Sequence, residues 1–237
     1  MKKLLVMLLS LISVSAFSQT VEDVILKYST AMGGLDAFNK VNTAKLTGVL
    51  TTQGIELPLT TQVVNGKAMR TDVTVNGQAI VNVYDNGTGW KINPYGGAPT
   101  PTDVTGTELI SFKAQANLAN NLMDYKNRGH KVELLEQEDV EGVKAYKIKL
   151  TTKDEGKVTT YFISTTDNML LKSVTKREIA GNEYDAESFY SGFKTVNGLK
   201  FCFQFVQKIE GKPFQDVKYS SIELNVAVDE SIFVKPK

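Results

Sequence analysis

Ala68-Met69-Arg70-Thr71-Asp72-Val73-Thr74-Val75-Asn76-Gly77 is the stretch that decides the fold. Met69, Thr71, Val73 and Val75 alternate with Ala68, Arg70, Asp72 and Thr74, so an extended backbone carries one apolar and one polar face. Asn76-Gly77 then reads as a two-residue hairpin turn, because both residues tolerate the positive φ that such turns demand. The same punctuation recurs at Gln53-Gly54, Asn65-Gly66 and Asn86-Gly87, a spacing of about 10 to 12 residues that predicts consecutive antiparallel strands from Ala44 onward.

A second array begins near His130, with turns at Glu141-Gly142, Glu155-Gly156, Asp167-Asn168, Gly181-Asn182, Asn197-Gly198 and Glu210-Gly211. Tyr146, Ile148 and Leu150 alternate with Lys147 and Lys149, and Phe201, Phe203 and Phe205 alternate with Cys202 and Gln204, which predicts long one-sided strands. No polar linker divides the arrays. One continuous antiparallel sheet follows, and so many strands must curl.

Helices frame the strands. Thr20 with Asp23 three residues on forms a capping-box pattern before Val21, and Gly33-Gly34 closes a helix whose Val21, Val24, Ile25, Tyr28 and Met32 share one face. Asp36 to Val41 adds a short helical turn. Between the arrays, Pro94, Pro99 and Pro101 mark an irregular loop, and Glu108 to Ala119 has helical composition with Leu109, Phe112 and Ala116 on one face. A connection this long inside a compact domain is functional or covers something, so it reads as a lid bearing Leu109, Phe112, Leu122 and Met123.

The ends and the charge set the compartment. Lys2-Lys3, an apolar run from Leu4 to Ala16 and the small-residue pattern Ala16-Phe17-Ser18 predict a secretory signal peptide over residues 1–18, leaving one domain over 19–237. The run is too short to span a bilayer, and no cysteine follows it for acylation. The 237 residues carry 27 Lys+Arg against 26 Asp+Glu, which gives no basic field to gather nucleic acid. Removal of Lys2 and Lys3 lowers the formal net charge of +1 by two. The one cysteine, Cys202, has no partner in the chain and reads as a buried thiol.

Catalytic motifs are sparse. No G-x-S-x-G elbow, Walker loop, H-E-x-x-H or C-x-x-C occurs, and His130 is the single histidine. Neither a metal nor another cofactor is expected. An enzyme built from this chain has only carboxylates, or Tyr and Ser, to work with, and Glu183, Asp185 and Glu187, on one face of a strand, are the best acidic cluster for a hydrolase. The competing reading pairs them across the ladder with Lys172 and Lys176 on a solvated face.

Several segments together resemble the exported outer-membrane lipoprotein-sorting proteins of the LolA/LolB-like group. They are Ala31-Met32-Gly33-Gly34-Leu35-Asp36-Ala37, Met69-Arg70, Tyr84 through Pro94 and Val196-Asn197-Gly198-Leu199-Lys200-Phe201, with Leu224-Asn225-Val226 and Asp229-Glu230-Ser231-Ile232-Phe233 at the close. The resemblance covers essentially the whole chain after residue 18. It implies a mainly β fold, a single curled antiparallel sheet forming an incomplete barrel with helices over its concave face. It further implies a monomeric periplasmic carrier, not an enzyme, for the acyl chains of lipoproteins or another amphiphilic lipid, with a membrane partner for delivery. A sensor resembling the RseB type is the alternative on the same fold. In the characterised carriers an arginine just before a proline on an early strand helps latch the lid, and Val64-Asn65-Gly66-Lys67 has neither. The ligand-binding concave face is expected to carry Met69, Val73, Trp90, Ile92, Tyr146, Ile148, Tyr161, Phe201, Phe203 and Phe205.

Overall fold

The computed structural model describes residues 19–179 and 181–236; the expected signal peptide lies outside the described residues. Helix α1 spans Val21–Met32 and starts at the expected box: the Thr20 hydroxyl accepts from the Asp23 amide at 3.2 Å while the Asp23 carboxylate accepts from the Thr20 amide at 3.3 Å. Gly33 ends it at φ 113°, and a Cβ there would lie 2.9 Å from the Gly198 carbonyl oxygen, so only glycine lets a later hairpin close on this helix end. A short helix, α2, follows at Leu35–Asn39.

The first array comprises β1 (Thr43–Thr52), β2 (Ile55–Val64), β3 (Ala68–Val75), β4 (Gln78–Asp85), β5 (Thr88–Asn93) and β6 (Ala98–Asp103), followed by helix α3 (Gly106–Gln115). The second comprises β7 (Lys131–Val140), β8 (Val143–Thr151), β9 (Val158–Ser164), β10 (Leu170–Ile179), β11 (Asn182–Ser191), β12 (Lys194–Val196), β13 (Leu199–Phe201), β14 (Gln204–Ile209) and β15 (Lys212–Leu224). Thirteen strands form one antiparallel sheet in the order β6-β5-β4-β3-β2-β1-β15-β14-β11-β10-β9-β8-β7, and β12–β13 is a separate hairpin. The long β1–β15 pairing joins the arrays, with Ala44 opposite Leu224 and Leu46 opposite Ile222. A register shift at Thr47/Gly48 bends this ladder, and a Cβ on Gly48 would run into the Lys218 carbonyl oxygen. Strands β6 and β7 form the two edges and do not pair with each other, so the barrel is incomplete.

Curling is read from packing. Leu46 and Ile222, in mid-sheet, share one apolar cluster with Leu134 of β7 and with Ile148 and Leu150 of β8, which a flat sheet would hold far apart. The row Tyr84, Met69, Val63, Ala44, Leu224 runs across five strands on one face and lies under α3 with Phe112 and Ala116. Helix α1 covers the other half of that face, burying Val24, Ile25, Tyr28 and Met32. Each such side chain contributes about 1.5–3 kcal/mol on burial.

Three sequence expectations are corrected. The proline-rich loop is edge strand β6, with Lys91 opposite Thr102 and Trp90 opposite Asp103; an edge strand has one side free of ladder bonds, which is where Pro99 and Pro101 are tolerated. The Phe201–Phe205 run is two strands, because β13 ends at Phe201 and β14 starts at Gln204. Helix α3 also stops at Gln115, and turns carry the chain from there to β7.

Candidate functional site

The residues expected to share one concave face are distributed over four apolar clusters. Ile148, Tyr161, Phe201 and Phe203 are buried in the cluster under α1, with Tyr146 packed against it. Met69 lies under α3. Val73 packs at the far end of the same face with Leu57, Leu59 and Val217, and Phe205 joins it there.

Trp90 and Ile92 are on the opposite face. Trp90 is opposite Val83 and Ile92 opposite Val81, one residue out of phase with the inward-facing Tyr84. They are buried because the chain end straps over them: the indole Nε1 donates to the Phe233 carbonyl oxygen at 2.8 Å, and Arg70 donates to the Ile232 carbonyl oxygen at 2.9 Å while gripping Asp72. On β5 Trp90 and Ile92 alternate with Lys91 and Asn93, which marks one face for burial without saying which side of the sheet it is; Val81 and Val83 of β4 share that face.

A cleft of about 190 Å³ opens between α1, α2, the turns after α3 and the β12–β13 hairpin. Its walls are Tyr28, Met32, Phe38, Leu118, Asn120, Met123, Leu170, Tyr190, Phe193, Lys200, Phe201 and Cys202. Of the ten expected binding residues, Phe201 alone lines it, joined by Met123 from the expected lid. The Phe38 and Phe201 rings meet at 5.3 Å between centroids, tilted by 58°. Tyr28 and Met32 belonged to the amphipathic face seen in the sequence; Phe38, Leu170, Tyr190 and Phe193 come from separate elements and carried no shared signal.

The polar atoms of the cleft are held by neighbours. Asn120 donates to the Tyr28 hydroxyl at 2.7 Å and accepts from the Met123 amide at 3.0 Å. The Tyr190 and Ser173 hydroxyls share a hydrogen bond of 2.9 Å, and the Cys202 thiol donates to the Gln204 carbonyl at 2.8 Å. Burial pushes the Tyr28, Tyr190 and Cys202 pKa values up, so all three are neutral at physiological pH.

The expected lid residues divide. Phe112 is buried beside Met69 and Tyr84, and Leu109 packs on the same cluster; neither lines the cleft. Leu122 is buried under α1's cluster, next to Met123. The segments over the cleft hang from Asn65 in the β2–β3 turn. Its amide nitrogen donates to the Phe38 and Val41 carbonyls at 3.0 and 2.9 Å, and its oxygen accepts from the Leu118 amide at 3.0 Å. The Gly66 amide adds a bond to the Ala116 carbonyl at 2.8 Å.

The acidic cluster faces elsewhere. Glu187 pairs with Lys172 at 2.6 Å and Asp185 with Lys176 at 2.9 Å on the outer face of β10–β11. Among the described residues no group of three or more His, Cys, Asp or Glu is placed to hold a metal, and no helix is long and apolar enough to cross a membrane. His130 sits at the entrance to β7 and accepts from the Lys153 amide at 3.3 Å.

Neither the protein-family models nor the curated proteins include a match to this sequence. Solved structures do match. A LolA-superfamily protein of Nitrosomonas europaea superposes with a TM-score of 0.61 at 12% identity, over 92% of this chain and 99% of its own. A domain of Vibrio parahaemolyticus described as an outer-membrane lipoprotein-sorting protein gives 0.59 at 9% identity, over 90% and 97%. A DUF1329-family protein of Desulfovibrio piger gives 0.61 at 12% identity, over 92% and 98%. The chain therefore has the fold of the LolA-like lipoprotein-sorting proteins, an open antiparallel half-barrel with helices against its inner face.

Proposed function

We propose that the chain is an exported periplasmic carrier or binding protein that hides the acyl chains of lipoproteins, or of another lipid-like ligand, by non-covalent burial. The observation that carries this reading is the cleft under α1, whose walls are mostly aromatic and aliphatic side chains and whose titratable hydroxyls and thiol are neutral. Water against such walls finds few partners, so an apolar chain that displaces it gains free energy. Each methylene removed from water contributes about 0.8 kcal/mol.

At about 190 Å³ the cleft is smaller than the roughly 300–1,000 Å³ of drug-sized ligand sites. An acyl chain therefore enters only as the covering segments move apart, which makes binding and opening one equilibrium. The fold supplies a route, because those segments are tied to the sheet through the Asn65 turn and not through the strand ladder. Acid–base chemistry has little to work with here: the Glu183, Asp185 and Glu187 face points outward, with Asp185 and Glu187 in lysine pairs. Non-covalent binding without a cofactor fits these residues better than hydrolysis.

Native mass spectrometry of protein purified from the periplasm without detergent tests the reading. The expected result is a polypeptide lacking residues 1–18 with a co-purifying acyl-chain adduct, which Phe193→Asp in the cleft wall reduces. A ligand-free wild type that also fails to take up fatty-acyl probes after stripping would overturn it.

A further inference from the structure

The cleft has one charged wall residue, Lys200. From Gly192 to Gln204 the chain carries two lysines, Lys194 and Lys200, and no carboxylate. Lys194 stands 4.5 Å over the Phe203 ring. Lys200 has no ion-pair partner among the described residues. On the facing segment, Asp124 is held by Arg128 at 2.8 Å and Lys126 lies over the Tyr125 ring, so that wall offers Lys200 no free carboxylate.

We infer that Lys200 reads the head of the ligand: the cleft selects an apolar chain ending in an anion, carboxylate or phosphate, over the same chain with a neutral head. This rests on the acyl-chain reading above and adds the headgroup to it. The rest of the wall offers no second cation: Tyr28, Tyr190 and Cys202 are neutral, the Cys202 thiol donates to the Gln204 carbonyl, Tyr190 shares a hydrogen with Ser173, and the Tyr28 hydroxyl accepts from Asn120. An ammonium at the apolar cleft therefore contributes little to a neutral amphiphile and attracts an anionic one. Lys200 also follows Leu199, which packs against the end of α1, so the competing role for its charge is to complement that helix terminus.

The test is a titration of stripped full-length mature protein with palmitate, palmityl alcohol and the lysophosphatidate of the same chain, read by native mass spectrometry. The reported quantity is the ratio of acid to alcohol affinity. Wild type should favour the two anions by about fivefold, the factor for one partly screened ion pair. Lys200→Met should bring the ratio to about one and Lys200→Arg should keep it, since a charge is retained. A helix-terminus role would lower thermal stability in Lys200→Met and weaken acid and alcohol in proportion, leaving the ratio intact, and would overturn the inference. Equal wild-type affinity for acid and alcohol overturns the headgroup assignment and leaves the apolar-chain reading standing; failure of all three probes overturns both. Between the two anions, preference for lysophosphatidate points to a phospholipid source and preference for palmitate to free fatty acid.

Discussion

Asn65→Ala removes the three side-chain hydrogen bonds that suspend the cleft's cover, to Phe38 O, Val41 O and Leu118 N. Each contributes about 0.5–1.5 kcal/mol net, and partial exposure lets water take over some of the loss, so about 2 kcal/mol is expected. That loss is divided between two segments outside the strand ladder, Phe38 to Val41 and the turn at Leu118. The one bond to Leu118, about 1 kcal/mol, should raise local opening between Ala116 and Met123 about fivefold, at 1.4 kcal/mol per factor of ten. Hydrogen exchange measures it directly, because the Leu118 amide is itself one of the lost donors. Amides in β8 and β9, whose Ile148 and Ile163 are fully buried, should keep their protection. Unchanged exchange at Leu118 would show that Asn65 does not hold the cover. Equal acceleration in β8 and β9 would show that cover and sheet open together, and either result refutes the argument.

Trp90→Phe should cost about 1 kcal/mol through loss of the bond to Phe233 O, and carboxypeptidase should then trim the chain end faster than in wild type. Phe112→Ala should destabilise the protein by about 3–5 kcal/mol, read by urea unfolding, because it opens the cluster of Met69 and Tyr84 and not the cleft. Alkaline pH should unfold the protein. Burial raises Cys202, Tyr28, Tyr161, Tyr190 and Tyr219, the last to about 12, so the native state holds protons that the unfolded chain releases first. Stability is then full below the ordinary thiol and phenol values and falls as pH rises through them, at about pH 8.5–10 and above, with the tyrosinate absorbance of these four buried tyrosines appearing only as the fold is lost.

Sequence alone determined the local conformations. The capping box at Thr20 and Asp23, the Asn-Gly and Glu-Gly turns and the alternation of Met69, Thr71, Val73 and Val75 depend on contacts within a few residues, which a linear pattern displays. Neighbours in the main sheet are consecutive strands of the sequence everywhere except at β1–β15 and β11–β14, so one curled sheet was legible too. Which face each strand turns inward was not. Trp90 and Ile92 alternate with Lys91 and Asn93 on β5, which marks them for burial without saying on which side of the sheet, and that side was settled by the chain end that straps across them, more than 130 residues away. Phe201 and Phe205 were read as one strand but belong to different sheets, because the β12–β13 hairpin leaves the main sheet to close on Gly33. The cleft is the extreme case: Tyr28, Phe38, Leu118, Leu170, Phe193 and Lys200 meet there from six separate stretches of chain. Periodicity reports only which side of its own element a residue occupies; which residues from distant elements share a wall is fixed by the curl of the sheet, and only tertiary structure supplies that.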